Sequence, residues 1–197
     1  MLMFIALILS YVLGSVPNGL ICGKLLWNTD LREHGSHNIG ATNAWRTIGK
    51  AAGILVFALD FLKGVFAVLI GLYLVGTSLA LVLCGFAVIA GHSASLFLNF
   101  QGGKGVATGL GVIAMLLPKV TVVVFVVWLI IVYFTRYVSL GSIVAAALVP
   151  LLAWLFNNPG EYIVFGIIVA VLIIVRHKSN ITRLMNGTES KIVAGGR

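Results

Sequence analysis

Long apolar stretches separated by short polar segments run along the whole chain. A helix that crosses a bilayer needs about 20 mostly apolar residues. The pattern predicts such helices over residues 1–26, 51–75, 77–98, 140–156 and 162–175. The first stretch lacks the basic start and the small-residue cleavage site of a secretory signal, so it is interpreted as the first span.

One further apolar stretch, residues 106–134, is too long for a single crossing. At 1.5 Å per residue a continuous helix there would extend about 44 Å. Pro118 and Lys119 fall near its middle, where proline removes a helical hydrogen bond and a charge is costly in lipid. We therefore predict two short helices, and with them an all-α integral membrane protein of seven transmembrane helices, some of them short, forming a single domain over 1–197.

Composition supports this class, because 60% of the residues are hydrophobic and only 9% are charged, against about 25% in soluble domains. With the N-terminus outside, the inner segments are 24–50, 99–105, 135–139 and 176–197. They hold all of the 13 Lys and Arg residues except Lys63 and Lys119. Cytoplasmic loops carry the positive excess, so a cytoplasmic C-terminus is predicted. Residues 193–197 carry no pattern and are interpreted as an expression remnant.

The residues that give the net charge of +8 lie mostly at one membrane face. This distribution favours anionic lipid or an anionic substrate, rather than nucleic acid, as the binding partner. Cys22 and Cys84 lie in apolar stretches far apart and form no CxxC motif. His34 and His37 have helix-compatible spacing, but no HExxH or carboxylate-rich signature accompanies them. No metal and no cofactor are therefore expected.

The first polar inner segment, 34–50, reads HGSHNIGATNAWRTIGK. Its glycines let backbone N–H groups turn towards a ligand, and its short polar side chains can donate further hydrogen bonds. Two interpretations stay open: a phosphate cradle, or a solvated loop with a helix N-cap at Ser36 or Thr42. Thr42 and Arg46 share a face if one helix includes both. The candidate residues are Ser36, Asn38, Thr42, Asn43 and Arg46.

The second segment, 91–109, places Gly102, Gly103 and Gly105 around Lys104 at a helix entrance. Backbone donors, a helix N-terminus and a cation together suit an anion. The pattern is not a P-loop, since glycine rather than Ser or Thr follows the lysine. A flexible turn with a lysine at the membrane surface is the alternative. His92, in the same segment, is interpreted as a buried structural histidine.

The third segment, 176–191, reads RHKSNITRLMNGTESK. His177, Asn180 and Arg183 follow each other at intervals of three, so they could line one helical face. Histidine is the natural general base near neutral pH. A basic juxtamembrane tail without chemistry is the alternative.

Two further polar sets lie at or within predicted spans. Asp60 and Lys63 are three apart in the second span, where mutual neutralisation explains both charges. Ser139 and Ser142 lie at the inner end of a later span, close to Arg136, where helix capping is their default role. Ser142 is also a candidate substrate contact.

Together these segments resemble the acyl-phosphate:glycerol-3-phosphate acyltransferases, the PlsY family of bacterial inner-membrane enzymes. The resemblance implies seven helices with three motifs on the cytoplasmic side. It rests on GSVPNG at 14–19, GSHNIGATNAWR at 35–46, DFLKG at 60–64, GHSASLFLNFQGGKGVATGLG at 91–111 and RHKSNITRLMNGTESK at 176–191.

The resemblance also implies the reaction, the first step of bacterial phospholipid synthesis. An acyl group passes from acyl phosphate to the 1-hydroxyl of glycerol 3-phosphate, giving lysophosphatidic acid and phosphate. Membrane lipid is the expected surrounding, and no protein partner is implied. By position, the implied residues are Ser36 and Arg46 as an essential polar pair, Gly102, Gly103 and Lys104 for acyl phosphate, His177 and Asn180 for activity, and Glu189 as a structural acid. From the residues themselves we add Asn38, Thr42, Asn43 and Ser142 as substrate contacts.

Two other classes of protein also use basic or histidine-containing polar segments. The His-x4-Asp motif of CoA-dependent glycerolipid acyltransferases is absent, since no histidine is followed by Asp at the fifth position. Basic, glycine-rich loops would also suit a transporter of a small phosphorylated anion. Transporter sites, however, lie near the membrane midplane, whereas these polar residues gather at one face. The base that takes the hydroxyl proton is either His177 or the donor phosphate.

Overall fold

The structure is a computed structural model that describes residues 1–192, so the interpretation of residues 193–197 lies outside the described residues. The described chain is helical and contains no strand. Its elements are α1 (Leu2–Ser15), α2 (Asn18–Trp27), α3 (Ala41–Thr47), α4 (Lys50–Leu74), α5 (Ser78–Ser93), a 3-10 turn (Leu96–Leu98), α6 (Val106–Leu116), α7 (Pro118–Thr135), α8 (Val138–Leu155), α9 (Gly160–Arg176) and α10 (Lys178–Met185).

Five segments of the described chain are long and apolar enough to cross a membrane: α1 with α2, α4, α5 with the 3-10 turn, α7 and α8. The bent pair α9–α10 forms a sixth if it is counted as one span, and α6 is a shorter apolar helix. The all-α, multi-pass membrane class is confirmed. Helices lie at all seven predicted places, while the count of seven spans and the orientation of the termini stay predictions.

Two of the predicted stretches are interrupted at prolines. Residues 106–134 divide as predicted, because α6 ends at Leu116 and Pro118 occupies the first turn of α7. The helix predicted over 1–26 is also broken, between α1 and α2, at Val16 and Pro17. Proline has no N–H to donate and disfavours helical backbone at the preceding residue, which accounts for both interruptions.

The described chain divides into two compact units, Met1–Val112 and Ile113–Ile192; the single domain predicted for 1–197 stays a prediction. In the first unit, α1 and α5 pack at backbone contact. A Cβ at Gly14 would overlap the carbonyl of Val88, and one at Gly91 would overlap the carbonyl of Tyr11. Small residues at helix interfaces permit this approach in membrane proteins.

A small apolar core holds the loop between α2 and α3 in the first unit. It consists of Cys22 on α2, Leu31 in the loop, Ala44 on α3, and Ala52 and Val56 on α4. Leu31 is fully buried although residues 32–37, which follow it in the loop, are exposed. Burial of one large side chain contributes about 1.5–3 kcal/mol, so Leu31 anchors the loop against the three helices.

In the second unit, α7, α8 and α9 pack side by side and α10 follows after a bend of 59° at His177. Phe165 on α9 is fully buried in this unit. The chain after α10 returns to α8, where the Ile192 amide donates to the Arg136 carbonyl at 2.8 Å. This return brings the last described residues beside the start of α8.

Candidate active site

Asn43 organises the first polar segment. Its side-chain amide nitrogen lies 2.9–3.0 Å from the carbonyl oxygens of Leu31, His34 and Asn38. Its side-chain oxygen accepts from the Ser36 amide at 2.9 Å. Asn43 is 2% exposed, and a buried amide is stable only when it is hydrogen-bonded. Asn43 therefore folds the loop, and its predicted contact with substrate stays a prediction.

The geometry of the loop also explains why glycine occupies position 35 and asparagine occupies position 38. Gly35 has φ +61°, which glycine adopts without strain, and a Cβ there would overlap the side-chain oxygen of Asn43. The Asn38 side chain accepts from the Gly40 amide at 2.9 Å and so shapes the turn into α3. Ser36 itself lies in the exposed part of the loop.

Helix α3 carries the remaining candidates of this segment. It begins at Ala41 with Gly40 as its N-cap, so the alternative N-caps proposed at Ser36 and Thr42 are wrong. Because α3 includes both Thr42 and Arg46, the two share a face one turn apart, as predicted. Both side chains are half-buried.

Two cations near this loop are engaged by an acid. The Arg32 guanidinium donates to Asp30 at 3.0 and 2.7 Å, and Lys24 lies 3.0 Å from the same carboxylate. The Arg32 hydrogen bonds outweigh burial and hold the pKa of the Asp30 carboxyl well below its usual range. Lys24 and Arg32 therefore contribute less to the positive field around Ser36 than their formal charges indicate.

The second segment forms what we call the glycine loop, Gly102-Gly103-Lys104-Gly105, immediately before α6. The Gly103 amide donates to the His92 carbonyl at 3.0 Å, which ties the loop to the end of α5. Gly105 has φ +79°, and Lys104 is half-buried. The predicted position of Lys104 at a helix entrance is confirmed.

A buried polar network centred on Asp60 lies in the same unit. Its side-chain oxygen Oδ1 is 2.9 Å from Lys63 Nζ, 3.0 Å from Asn18 Nδ2 and 3.8 Å from His92 Nδ1. Asp60 and Lys63 are each 3% exposed. The predicted ion pair within α4 is thus present, and the interpretation of His92 as a buried histidine is confirmed.

This network also supports the break in the first span. Lys63 donates to the Val16 carbonyl at 3.2 Å, and the Ser95 hydroxyl donates to the Ser15 carbonyl. Irregular backbone inside a span is tolerated where protein groups satisfy it. The two backbone carbonyls that precede Pro17 are therefore bound by one side chain from α4 and one from the segment after α5. Asn18 and Ser95 were missed by the sequence analysis, since nothing local marks their partners.

In the second unit, His177 lies at the bend between α9 and α10 and is 3% exposed. Its Nδ1 is 2.8 Å from the Ile173 carbonyl oxygen. A carbonyl only accepts, so Nδ1 carries the proton, and in the neutral ring the basic nitrogen is Nε2. The fold therefore fixes the tautomer of this histidine.

The carboxylate of Glu189 accepts hydrogen bonds from several residues of the second unit. One oxygen accepts from Ser139 and Asn180, both at 2.8 Å, and the other accepts from Arg183 Nε at 2.7 Å. Burial alone would raise the pKa of Glu189, but these hydrogen bonds lower it below its usual value. Glu189 has the geometry of a structural acid, and Asn180 is held in place by it.

Neither serine at the start of α8 caps that helix, because its N-cap is Tyr137 and both serines lie inside it. Ser139 binds Glu189 instead. The Ser142 hydroxyl donates to the Val138 carbonyl at 2.9 Å and accepts from Trp128 at 3.3 Å. Through these two hydrogen bonds Ser142 connects α7 to α8, and its predicted contact with substrate stays a prediction.

Known proteins resemble this chain over almost its whole length. The family model for glycerol-3-phosphate acyltransferase matches residues 4–187. The glycerol-3-phosphate acyltransferase of Carboxydothermus hydrogenoformans is 49% identical, over 97% of this chain and 97% of its own. That of Syntrophomonas wolfei is 46% identical, over 94% of this chain and 95% of its own.

The chain belongs to the glycerol-3-phosphate acyltransferase family. The crystal structure of PlsY (YgiH), an integral membrane glycerol 3-phosphate acyltransferase, in its glycerol 3-phosphate form matches with a TM-score of 0.92 at 42% identity, covering 97% of this chain and 96% of that chain. Its lysophosphatidic acid form matches with a TM-score of 0.89 at 41% identity.

The described structure brings the candidate residues together in three groups. Ser36 and Asn38 lie against Asn43, on the helix that also carries Thr42 and Arg46. The glycine loop lies against His92, close to Asp60. In the second unit, Asn180 and Arg183 meet at Glu189, one turn after His177. The family match, over residues 4–187, includes every residue of these three groups except Glu189.

Proposed function

We propose that this chain transfers an acyl group from acyl phosphate to the 1-hydroxyl of glycerol 3-phosphate. The hydroxyl oxygen attacks the carbonyl carbon of the mixed anhydride, the bond to the phosphate oxygen breaks, and lysophosphatidic acid and phosphate are released. The observation that carries the proposal is the near full-length match to PlsY in both its glycerol 3-phosphate and lysophosphatidic acid forms.

The donor's phosphate is assigned to the glycine loop. Backbone amides before α6 and the half-buried Lys104 suit an anion at a helix entrance. An acyl phosphate is already activated, because phosphate is a good leaving group. The residues then need to bind, orient and stabilise charge rather than supply a covalent intermediate.

Ser36 and Arg46 are assigned to glycerol 3-phosphate. Asn43 fixes the loop backbone at Ser36, and α3 presents Arg46 together with Thr42. A guanidinium can bind a phosphate through two parallel hydrogen bonds. Thr42 and Asn38 are assigned as further contacts; the side-chain oxygen of Asn38 accepts from the Gly40 amide, which leaves its amide nitrogen to donate to substrate.

His177 is assigned to binding and orienting the substrate, with the donor phosphate assisting proton removal. Its Nδ1 partner is a neutral carbonyl rather than a carboxylate. In catalytic triads a carboxylate partner stabilises the imidazolium, whereas the carbonyl oxygen of Ile173 carries no net charge. Asn180, fixed by Glu189 at 2.8 Å, is assigned to the same task.

The proposed setting is the bacterial inner membrane, crossed seven times, with the N-terminus outside and the site on the cytoplasmic side. Support comes from the basic residues, nearly all of which fall in the segments that this orientation places inside. Acyl phosphate carries a long apolar tail, which the surrounding lipid and apolar helix surfaces can accommodate.

The direct test is an assay of the purified protein in lipid vesicles, with acyl phosphate and labelled glycerol 3-phosphate and nothing else added. We expect lysophosphatidic acid and phosphate in a 1:1 ratio, and a lower rate of both products from the matched variant Arg46→Ala. Uptake of labelled glycerol 3-phosphate into the vesicles without product would instead indicate a transporter.

A further inference from the structure

His92 touches the glycine loop in two ways. Its carbonyl accepts from the Gly103 amide at 3.0 Å, and its ring occupies the space next to the Gly103 backbone. A Cβ at Gly103 would overlap Nε2 of that ring and lie 2.8 Å from Cε1. Nonbonded carbon atoms prefer about 3.5–4.0 Å, so no side chain fits at position 103 while the ring stays in place.

The His92 ring is buried and lies next to a buried ion pair. His92 is 5% exposed, and its Nδ1 faces Asp60 Oδ1 at 3.8 Å. Asp60 is itself held by Lys63 at 2.9 Å and Asn18 at 3.0 Å. Moving the ring would therefore disturb a buried ion pair as well as the loop.

Gly102 meets a different obstacle. A Cβ at Gly102 would overlap the His92 carbonyl oxygen and lie 3.0 Å from the carbonyl atoms of Ser93. These are backbone atoms at the end of α5, so they remain whatever side chain occupies position 92. The two neighbouring glycines are thus required by physically separable contacts.

We propose that His92 is a positioning residue that sets the course of the glycine loop, and that position 103 must be glycine because of the His92 ring rather than because of a substrate. The ring links the loop to the buried Asp60–Lys63 pair. The loop's task, binding the phosphate of the acyl donor, rests on the function proposed above.

A double-mutant cycle tests this proposal. In the native chain Gly103→Ala should lower kcat/KM for acyl phosphate about 100-fold, as displacements near 1 Å do in active sites. In a His92→Ala background the same change should cost about 3-fold or less, because the space for the methyl group then exists. Coupling between contacting residues is what such cycles measure.

Gly102→Ala is the matched control. Its obstacle is backbone, so its cost should be the same in the native and His92→Ala backgrounds. His92→Ala alone should raise KM for acyl phosphate about 10-fold while KM for glycerol 3-phosphate changes about 2-fold or less. His92→Asn, which keeps a polar group towards Asp60, provides a second background if the alanine variant does not fold.

Folding is measured alongside as membrane-extracted yield and thermal unfolding in detergent. If Gly103→Ala does not fold, its recovery in the double variant supports the proposal and its failure to recover overturns it. An equal cost of Gly103→Ala in both backgrounds, or equal rises of both KM values in His92→Ala, also overturns it. Absence of turnover in the native chain would contradict the proposed function instead, while the unfolding data would still test the packing of His92 against Gly103.

Discussion

At the scale of single residues, the cations of the polar segments are not equivalent. Lys24 and Arg32 bind Asp30, and Arg183 binds Glu189. Arg46 and Lys104 lie on the two segments assigned to phosphate binding. Formal charge alone does not distinguish these groups, whereas their positions in the fold do.

Removal of Arg46 or Lys104 should therefore have a larger effect than removal of the cations bound to Asp30. A charge-assisted hydrogen bond contributes about 1.5–3 kcal/mol, so Arg46→Ala or Lys104→Ala should lower kcat/KM about 10-fold or more. Lys24→Ala serves as the control and should stay within about 2-fold. The measurement is steady-state kinetics on protein whose membrane insertion has been verified. Near-native kinetics for both Arg46→Ala and Lys104→Ala would mean that these basic residues determine membrane topology and do not bind phosphate.

His177 allows a separate prediction about the base. If it binds and orients the acceptor, His177→Ala should mainly raise KM for glycerol 3-phosphate, and the pH–rate profile should keep its ionisation near neutrality, from the donor phosphate. If it is the base, turnover should instead fall about 100-fold with little change in KM. We expect the first result. A His177→Ala profile that has lost the ionisation would refute this assignment.

At the scale of elements, the first span shows how a proline break is accommodated inside an apolar helix pair. Pro17 interrupts the helix, and the Val16 carbonyl is bound by Lys63 at 3.2 Å. Asn18, at the start of α2, donates to Asp60 at 3.0 Å. The ion pair of α4 therefore stabilises two neighbouring helices as well as neutralising itself.

Breaking this pair from one side should be costly. Asp60→Asn or Lys63→Met leaves one buried charge without its counter-ion, which typically destabilises a protein by about 3–5 kcal/mol. The double variant Asp60→Asn/Lys63→Met buries no charge and should lose less than the sum of the two single losses. Thermal or denaturant unfolding in detergent measures the loss of stability in each variant. Glu161 is an exposed acid on α9, so Glu161→Gln serves as the control. Strictly additive losses would argue against coupling between Asp60 and Lys63.

At the scale of the whole molecule, the distribution of basic residues predicts which segments face the cytoplasm. Single cysteines near Lys50, Gln101 and Lys178 should be labelled only from the cytoplasmic side, and one at Asn158 only from outside. The native Cys22 and Cys84 are buried and unpaired, so their replacement by alanine gives a clean background. Labelling of the Lys50 and Lys178 positions from opposite sides would eliminate the seven-span arrangement.

The sequence by itself determined the helical membrane class, the division of residues 106–134 at Pro118, and the segments that carry polar chemistry. These features are local, because hydropathy and proline act on the chain within a few residues. Spacing along a helix also sufficed for the Asp60–Lys63 pair and for the shared face of Thr42 and Arg46.

Only the tertiary structure decided what the polar side chains contact. It showed that Asn43 folds its own loop, that Ser142 binds Trp128, and that the break at Pro17 is supported from α4. It also placed the His92 ring against Gly103. The partners of Asn43 lie in its own loop, but the other contacts depend on helix packing, which no local pattern encodes: Asn18 and Asp60 are 42 residues apart in sequence. A buried polar group must find a partner wherever packing supplies one, so its role is fixed only when the helices meet.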